Sequence, residues 1–289
     1  MRLEPRIVRV NIISHIENRQ AQAVSGIADT AGQEIRLEQV RKVYGSGEAG
    51  VVAIQNIDLQ LRPGEFMTVV GPSGCGKSTF LQICAGLIPA TSGRVLVDGR
   101  PVDGPPEGLV YLFQQYSKSL LPWRTVLQNV SFAIEHRAEI AAPQRREYCM
   151  DHLAMVGLTE FADRYPRELS GGMQQRVANA RALAAKPGVL LLDEPFSAVD
   201  ALTRIELHKL MLRLWEEQRF TALLVTHDVD EAVFLSDRIA VMSNRPSVIS
   251  EVLPIPLARP RDKLTTPEEP AFLQLRHYLL EKLTGGAHA

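Results

Sequence analysis

Gly71-Pro72-Ser73-Gly74-Cys75-Gly76-Lys77-Ser78 stands between an apolar run, Phe66 to Val70, and a helical pattern from Lys77 to Ala85. These eight residues satisfy G-x-x-x-x-G-K-[ST], and the order strand, glycine-rich turn, helix is the one a phosphate-cradling loop requires. Glycines let successive backbone N–H groups turn inward around phosphate oxygens, and the helix N-terminus adds positive potential. In such a loop Lys77 reaches the terminal phosphates, the Ser78 hydroxyl can ligate Mg²⁺, and Thr79 lies next among the nucleotide contacts. The bland alternative, a flexible glycine turn, is weakened by the matching context on both sides.

A second apolar run, Val189-Leu190-Leu191-Leu192, ends in Asp193-Glu194. It suits a buried parallel strand that delivers two carboxylates to the sheet's C-terminal edge, where ligands of α/β proteins bind. Alone, such a run reads as a strand leaving the core. Beside a phosphate loop, Asp193 reads as a holder of Mg²⁺ through water, and Glu194 as the group that orients or deprotonates the water attacking a γ-phosphate.

Outward from these two stretches the pattern is α/β. Strand signals at Val189 to Leu192, Ala222 to Thr226 and Ile239 to Met242 are separated by helices such as Leu202 to Trp215, whose Leu207, Leu210, Met211 and Leu214 share a face. The alternating pairs Ile35/Leu37 and Ile57/Leu59/Leu61, ahead of the Pro63-Gly64 turn, predict antiparallel edge sheet. Residues about 114–184 are mainly helical, with segments Val126 to Ile134, Gln144 to Val156 and Ser170 to Ala184. Residues 1–33 read as an extension of uncertain order, 34–255 as the principal domain, and 256–289 as a short tail with a helix over Phe272 to Leu283.

With 289 residues the chain can bury a substantial core, and 32 Lys plus Arg against 33 Asp plus Glu leave a formal charge of −1, so nothing marks a nucleic-acid surface. Three cysteines, Cys75, Cys84 and Cys149, without metal-ligand spacing read as free thiols of a reducing compartment. No apolar run approaches the roughly 18 residues of a membrane span, and the N-terminus lacks a signal-peptide core.

Leu169-Ser170-Gly171-Gly172-Met173-Gln174-Gln175-Arg176 places a serine to cap a helix and two glycines to expose its first N–H groups, a second anion site that one nucleotide loop does not need. Here the chain resembles the ATP-binding-cassette family, whose signature is this Ser-Gly-Gly-x-Gln stretch and whose motif order it repeats from about Glu34 to Leu253. The resemblance implies a P-loop NTPase cassette with a mostly parallel core sheet, an antiparallel β edge and an inserted helical subdomain. It implies an ATPase acting as a homodimer, in which Ser170, Gly171, Gly172 and Gln174 of one copy close over the phosphate loop of the other.

Further positions follow from the resemblance. Tyr44 matches the aromatic residue that stacks on adenine, although a lone Tyr near a strand end is ordinarily packing. Gln114, with Gln115 beside it as the other choice, matches the glutamine that senses Mg²⁺ and links the catalytic core to the helical region. Asp200 closes Ser197-Ala198-Val199-Asp200, the loop that crosses between subunits, with valine where many relatives carry leucine. His227 matches the switch histidine at the γ-phosphate.

The stretch Gln114 to Trp123, the run Val225 to Ala232 and the tail's Arg259-Pro260-Arg261 resemble the branch of importer ATPases serving nitrate, sulfonates and taurine. Pro122-Trp123 reads equally as a helix start with a packed indole. The implied partners are membrane-spanning permease subunits, whose short helix the region 114–184 would receive, and indirectly a solute-binding protein, with the chain on the cytoplasmic face. The short stretch after the cassette leads to the expectation that no long C-terminal regulatory module is present. The competing expectation is a soluble cassette ATPase acting on DNA, ribosomes or cluster assembly; the single cassette, without heptads or a basic patch, speaks against it.

Overall fold

The structure, a computed structural model, describes residues 32–45, 50–114, 119–135, 140–197 and 199–285. The expected N-terminal extension falls outside it except for Gly32 and Gln33. Gln33 is already tied to the core, its N–H donating to the Gly188 carbonyl at 3.1 Å and its own carbonyl accepting from Thr221 Oγ1 at 2.7 Å.

The alternating N-terminal pattern forms two long antiparallel strands, β1 (Ile35–Tyr44) and β2 (Val51–Leu61), registered so that Ile35 faces Leu61 and Leu37 faces Leu59 on one buried side. The chain then turns at Gly64, whose φ of 69° only glycine adopts without strain, into β3 (Phe66–Val70). The phosphate loop leads to α1 (Lys77–Cys84), and β4 (Ser92–Val97) returns antiparallel to β1, with the short β5 (Arg100–Pro101) at its edge. After β6 (Leu109–Leu112) come α2 (Val126–Ser131), extended by one 3₁₀ turn to Ile134, then α3 (Arg145–Met155) and α4 (Gly171–Ala184). The remainder alternates: β7 (Val189–Asp193), α5 (Ala201–Gln218), β8 (Thr221–Thr226), α6 (Val229–Leu235), β9 (Arg238–Met242), β10 (Ser247–Pro254) and α7 (Pro270–Gly285).

One ten-stranded sheet results, in the order β5-β4-β1-β2-β10-β9-β3-β8-β7-β6. From β9 to β6 all neighbours are parallel, and every residue of β3, β7 and β8 is buried, as strands covered on both faces must be. Successive residues feed opposite cores. Phe66, Val70, Leu190 and Leu192 pack with α2 to α6, whereas Met67, Val69, Val189 and Leu191 pack with α1 and the antiparallel strands.

The helical region is anchored by one buried polar residue. Asn129 in α2, fully buried, donates to the carbonyls of Leu121, Arg124 and Thr125 and accepts from the Leu121 N–H at 2.8 Å. These bonds shape the turn before the Thr125/Gln128 capping box. Trp123 on that turn is 70% exposed, so its indole is not packed against the helix start. Residues 115–118 of the same stretch, including Gln115, lie outside the described residues. The three cysteines are free and buried, and among the described residues no helix is long and apolar enough to cross a membrane.

Candidate nucleotide site

The parallel strands β3, β6, β7 and β8 end at one edge of the sheet, and the singled-out residues follow directly after those ends. Between β3 and α1 the loop bends through Gly74 at φ +76° and Gly76 at φ +113°, a left-handed geometry that L side chains resist. Lys77, 6% exposed, donates from Nζ to the carbonyls of Gly71 at 2.9 Å and Pro72 at 3.0 Å. Its ammonium is thus held over the loop's own mouth. Gly71 cannot carry a side chain, because a Cβ there would sit 2.8 Å from the Met242 carbonyl oxygen.

Asp193 ends β7 with both oxygens engaged. Ser78 Oγ donates to Oδ1 at 3.1 Å, and Tyr111 Oη donates to Oδ2 at 2.8 Å. Burial pushes the Asp193 carboxyl above the usual range, and the hydrogen bonds from Tyr111 and Ser78 pull it back. Tyr111, on β6 beside Leu191 of β7, is pushed up by burial and by the Asp193 charge. An aromatic in an apolar run such as Val110 to Phe113 carries no signal of its own for this contact. The Ser78 hydroxyl and Asp193 carboxylate form a hard-oxygen pair of the kind Mg²⁺ prefers when phosphates and water complete its shell. Among the described residues, no group of three or more His, Cys, Asp or Glu is placed to hold a metal ion by itself.

Glu194 adopts φ +44°, in the left-handed region, at a cost of roughly 1–3 kcal/mol for such a residue. Its N–H donates to the Val225 carbonyl at 2.9 Å and its carbonyl accepts from Ser197 Oγ at 2.9 Å, so β8 and the following turn hold the kink. The carboxylate projects to where Gln114 Nε2 lies 3.3 Å and His227 Nδ1 3.2 Å from the same Oε2. Residues expected from three separate strand ends therefore meet on one oxygen. Tyr44, 44% exposed at the end of β1, places its hydroxyl 3.3 Å from Thr79 Oγ1, which brings the expected aromatic to the phosphate loop's helix.

The signature segment stands apart. Ser170 caps α4, accepting from the Met173 N–H at 3.3 Å, and leaves Ser170 and Gly171 exposed. A Cβ on Gly172 would lie 2.6 Å from Thr203 Cγ2, so this glycine permits α4 to approach α5. The Gln174 amide turns back on the preceding loop, donating to the carbonyls of Pro166 at 2.9 Å and Leu169 at 3.3 Å. Among the described residues, no hydrogen bond or ion pair joins Ser170–Gln174 to the phosphate loop. Asp200 caps α5, accepting from the N–H groups of Leu202 and Thr203, each at 3.1 Å, and these amides hold its carboxyl below the usual range. Ala198 of that loop lies outside the described residues.

The model of the ABC transporter family matches residues 54–197. A bicarbonate transport ATP-binding protein of Synechocystis sp., CmpD, is 45% identical over 252 residues, covering 86% of this chain and 88% of that one. The nitrate import ATP-binding protein NrtD of Synechococcus elongatus is 44% identical, covering 86% and 91%. Among solved structures, the dimeric structure of MJ0796, a bacterial ABC transporter cassette, aligns with a TM-score of 0.67 at 34% identity over 78% of this chain and 100% of that chain. A post-hydrolysis dimer of the same cassette, bound to ADP and Pi, aligns with a TM-score of 0.67 at 33% identity. A phosphate loop, an acid pair and a histidine gathered at one sheet edge, in a chain similar to these relatives over most of its length, make it a member of the ABC transporter family and a nucleotide-binding ATPase of that family.

Proposed function

We propose that this chain is the ATP-hydrolysing subunit of an importer for a small solute of the nitrate, sulfonate or taurine kind, a class to which the bicarbonate cargo of one relative is also close. The observation that carries the catalytic half is the convergence of Gln114 and His227 on Glu194 Oε2, beside the Ser78–Asp193 pair. Lys77 and the loop N–H groups of Gly71 to Ser78 bind the β- and γ-phosphates, and Tyr44 stacks on adenine. Ser78 and, through water, Asp193 hold Mg²⁺, which when bound neutralises charge on the phosphates. Glu194 orients the attacking water and takes its proton, while His227 contacts the γ-phosphate and Gln114 reports the state of the site to the helical region.

The exposed cap at Ser170 and Gly171, remote in hydrogen bonding from the chain's own phosphate loop, supports a nucleotide sandwich in which a second copy supplies Ser170 to Gln174. Asp200, at the start of α5, lies on the loop that crosses to that copy. The permease would dock on the helical region 114–184 from the membrane, placing the chain on the cytoplasmic face, and a solute-binding protein would deliver the cargo.

Replacing Glu194 by Gln tests the catalytic half. The variant should bind ATP, accumulate as a dimer in size-exclusion chromatography, and hydrolyse about 10²–10⁴ times more slowly, the usual worth of a general base. Hydrolysis at the wild-type rate would remove Glu194 from the base role. For the cargo, uptake of labelled nitrate, bicarbonate and taurine by cells with and without the gene discriminates directly.

A further inference from the structure

The tail segment Arg259-Pro260-Arg261 belongs to none of the nucleotide motifs, yet it is built into the protein against the helix that follows His227. Helix α6 is only seven residues long, and its last carbonyls have no partner within it once Ser236 N–H has bonded to Ala232. Arg261, 7% exposed, donates from Nη1 to the carbonyls of Phe234 and Ser236, both at 2.8 Å, and of Val233 at 3.3 Å. Arg259 donates from Nη2 to the Leu235 carbonyl at 2.8 Å while pairing with Asp237 and lying over the Trp215 ring, 4.2 Å from its centroid. Two guanidinium groups thus satisfy the four carbonyls from Val233 to Ser236. They also set positive charge against the negative end of the helix.

Lys263 of the same segment lies half-buried with its Nζ 4.1 Å from the Phe234 ring centroid, at the same C-terminal end of α6; the first turn is fixed by the chain before it. Asp228 caps that turn through the Glu231 N–H at 3.0 Å, and its own N–H donates to Thr226 Oγ1 at 3.1 Å, so His227 is held between two locked residues. A short helix with so few internal bonds keeps its direction only if both ends are fixed from outside.

We propose that the tail strap Arg259–Lys263, through Arg261 above all, is a positioning element for the ATPase reaction: it clamps the C-terminal end of α6, whose first turn the Asp228 cap fixes, and thereby sets His227 against Glu194. Arg261 touches neither nucleotide nor reacting atoms. The inference rests on the γ-phosphate role given to His227 above.

The test is a double-mutant cycle on the full-length chain, reading ATP turnover at saturating ATP and, separately, ATP affinity. Arg261→Gln removes the cation and the forked donor. It should lower turnover about tenfold, as displacement of a catalytic group does, and leave affinity within about twofold. In a His227→Ala background, the same substitution should change turnover by less than about twofold, because the residue it positions is gone. If Arg261→Gln lowers turnover by the same factor in both backgrounds, or leaves it unchanged in the wild type, the strap has no positioning role. Should Arg261→Gln not fold, Lys263→Met at the far end of the strap goes through the same cycle: loss of turnover confined to the His227 background supports the strap, and an equal loss in both backgrounds, or none, overturns it. A His227→Ala chain that keeps full turnover overturns the histidine assignment and the strap inference together. An impaired His227→Ala with additive Arg261→Gln overturns the strap alone.

Discussion

Glu194 Oε2 stands 3.2 Å from His227 Nδ1, an approach between residues 33 positions apart that depends on β7 and β8 ending side by side. The register places Asp193 against Val225, so Glu194, the residue after β7, leaves the sheet level with Thr226, one residue before His227. The carboxylate's position, and not only its acidity, is therefore a property built into the two strand ends.

Glu194→Asp isolates that property. It keeps a carboxylate but withdraws it by one methylene from both His227 and Gln114. Turnover should fall on the order of a hundredfold, the typical effect of a displacement near 1 Å, while ATP affinity stays near the wild type. Steady-state hydrolysis beside an equilibrium nucleotide titration checks both halves; an undiminished rate would show that reach is immaterial here.

Gly172→Ala tests the close approach of α4 to α5. The added methyl would meet Thr203 Cγ2 at 2.6 Å, so either the Thr203 side chain turns or the signature helix moves from α5, at about 1–3 kcal/mol, the usual cost of overpacking. Thr203→Ser removes that methyl and keeps the hydroxyl. The double variant should recover most of the stability lost, as read by chemical denaturation, and with it the ATPase activity. A double variant no better than the single would locate the glycine's purpose elsewhere.

Asn129→Ala should destabilise the chain by about 1–3 kcal/mol, since the Arg124 carbonyl and the Leu121 N–H lose their partner and the Leu121 and Thr125 carbonyls keep only a backbone N–H each. Denaturant unfolding gives the magnitude. Equal midpoints would mean that water replaces the amide.

How much of this the sequence discloses depends on how locally each feature is encoded. The phosphate loop, the acid pair and the signature cap are contiguous, and each stands where its string of residues places it. The all-buried strands β3, β7 and β8 are legible because an apolar run bounded by turns has few other uses. By contrast β4 and β10 carry no such mark: Ser92–Val97 has only its last three residues buried, and Ser247–Pro254 pairs antiparallel with β9 and parallel with β2, a contact fixed by distant partners. Tyr111 and Arg261 are illegible for the same reason, their partners being 82 and 25 to 28 residues away. The tail helix, expected over Phe272 to Leu283, forms over Pro270–Gly285, with Phe272 and Leu279 buried in the main core.

In the first turn of α6 and on α5, Glu231 and His208 are buried 3.7 Å apart, and their opposite titrations give a pH dependence that can be worked out in sign. Burial first, opposed by the hydrogen bond from Thr226, pushes the Glu231 carboxyl from its ordinary 4.5 up to about 8. The folded chain therefore binds a proton that the unfolded chain has released between those values, so Glu231's contribution, complete below 4.5, is lost as pH rises through about 8. Burial pushes His208 down from 6.5 to about 3, so there the unfolded chain binds the extra proton, and that contribution is lost as pH falls below 6.5. The two slopes oppose each other between 4.5 and 6.5, and only the Glu231 slope remains from 6.5 to about 8. Thermal unfolding of the wild type should accordingly show stability declining across that upper window. Glu231→Gln, which keeps an acceptor for Thr226 and cannot ionise, should flatten the decline while leaving the fall below pH 6.5 in place. A wild-type profile level from 6.5 to 8, or a Gln variant with the same slope, would place the alkaline loss on another group.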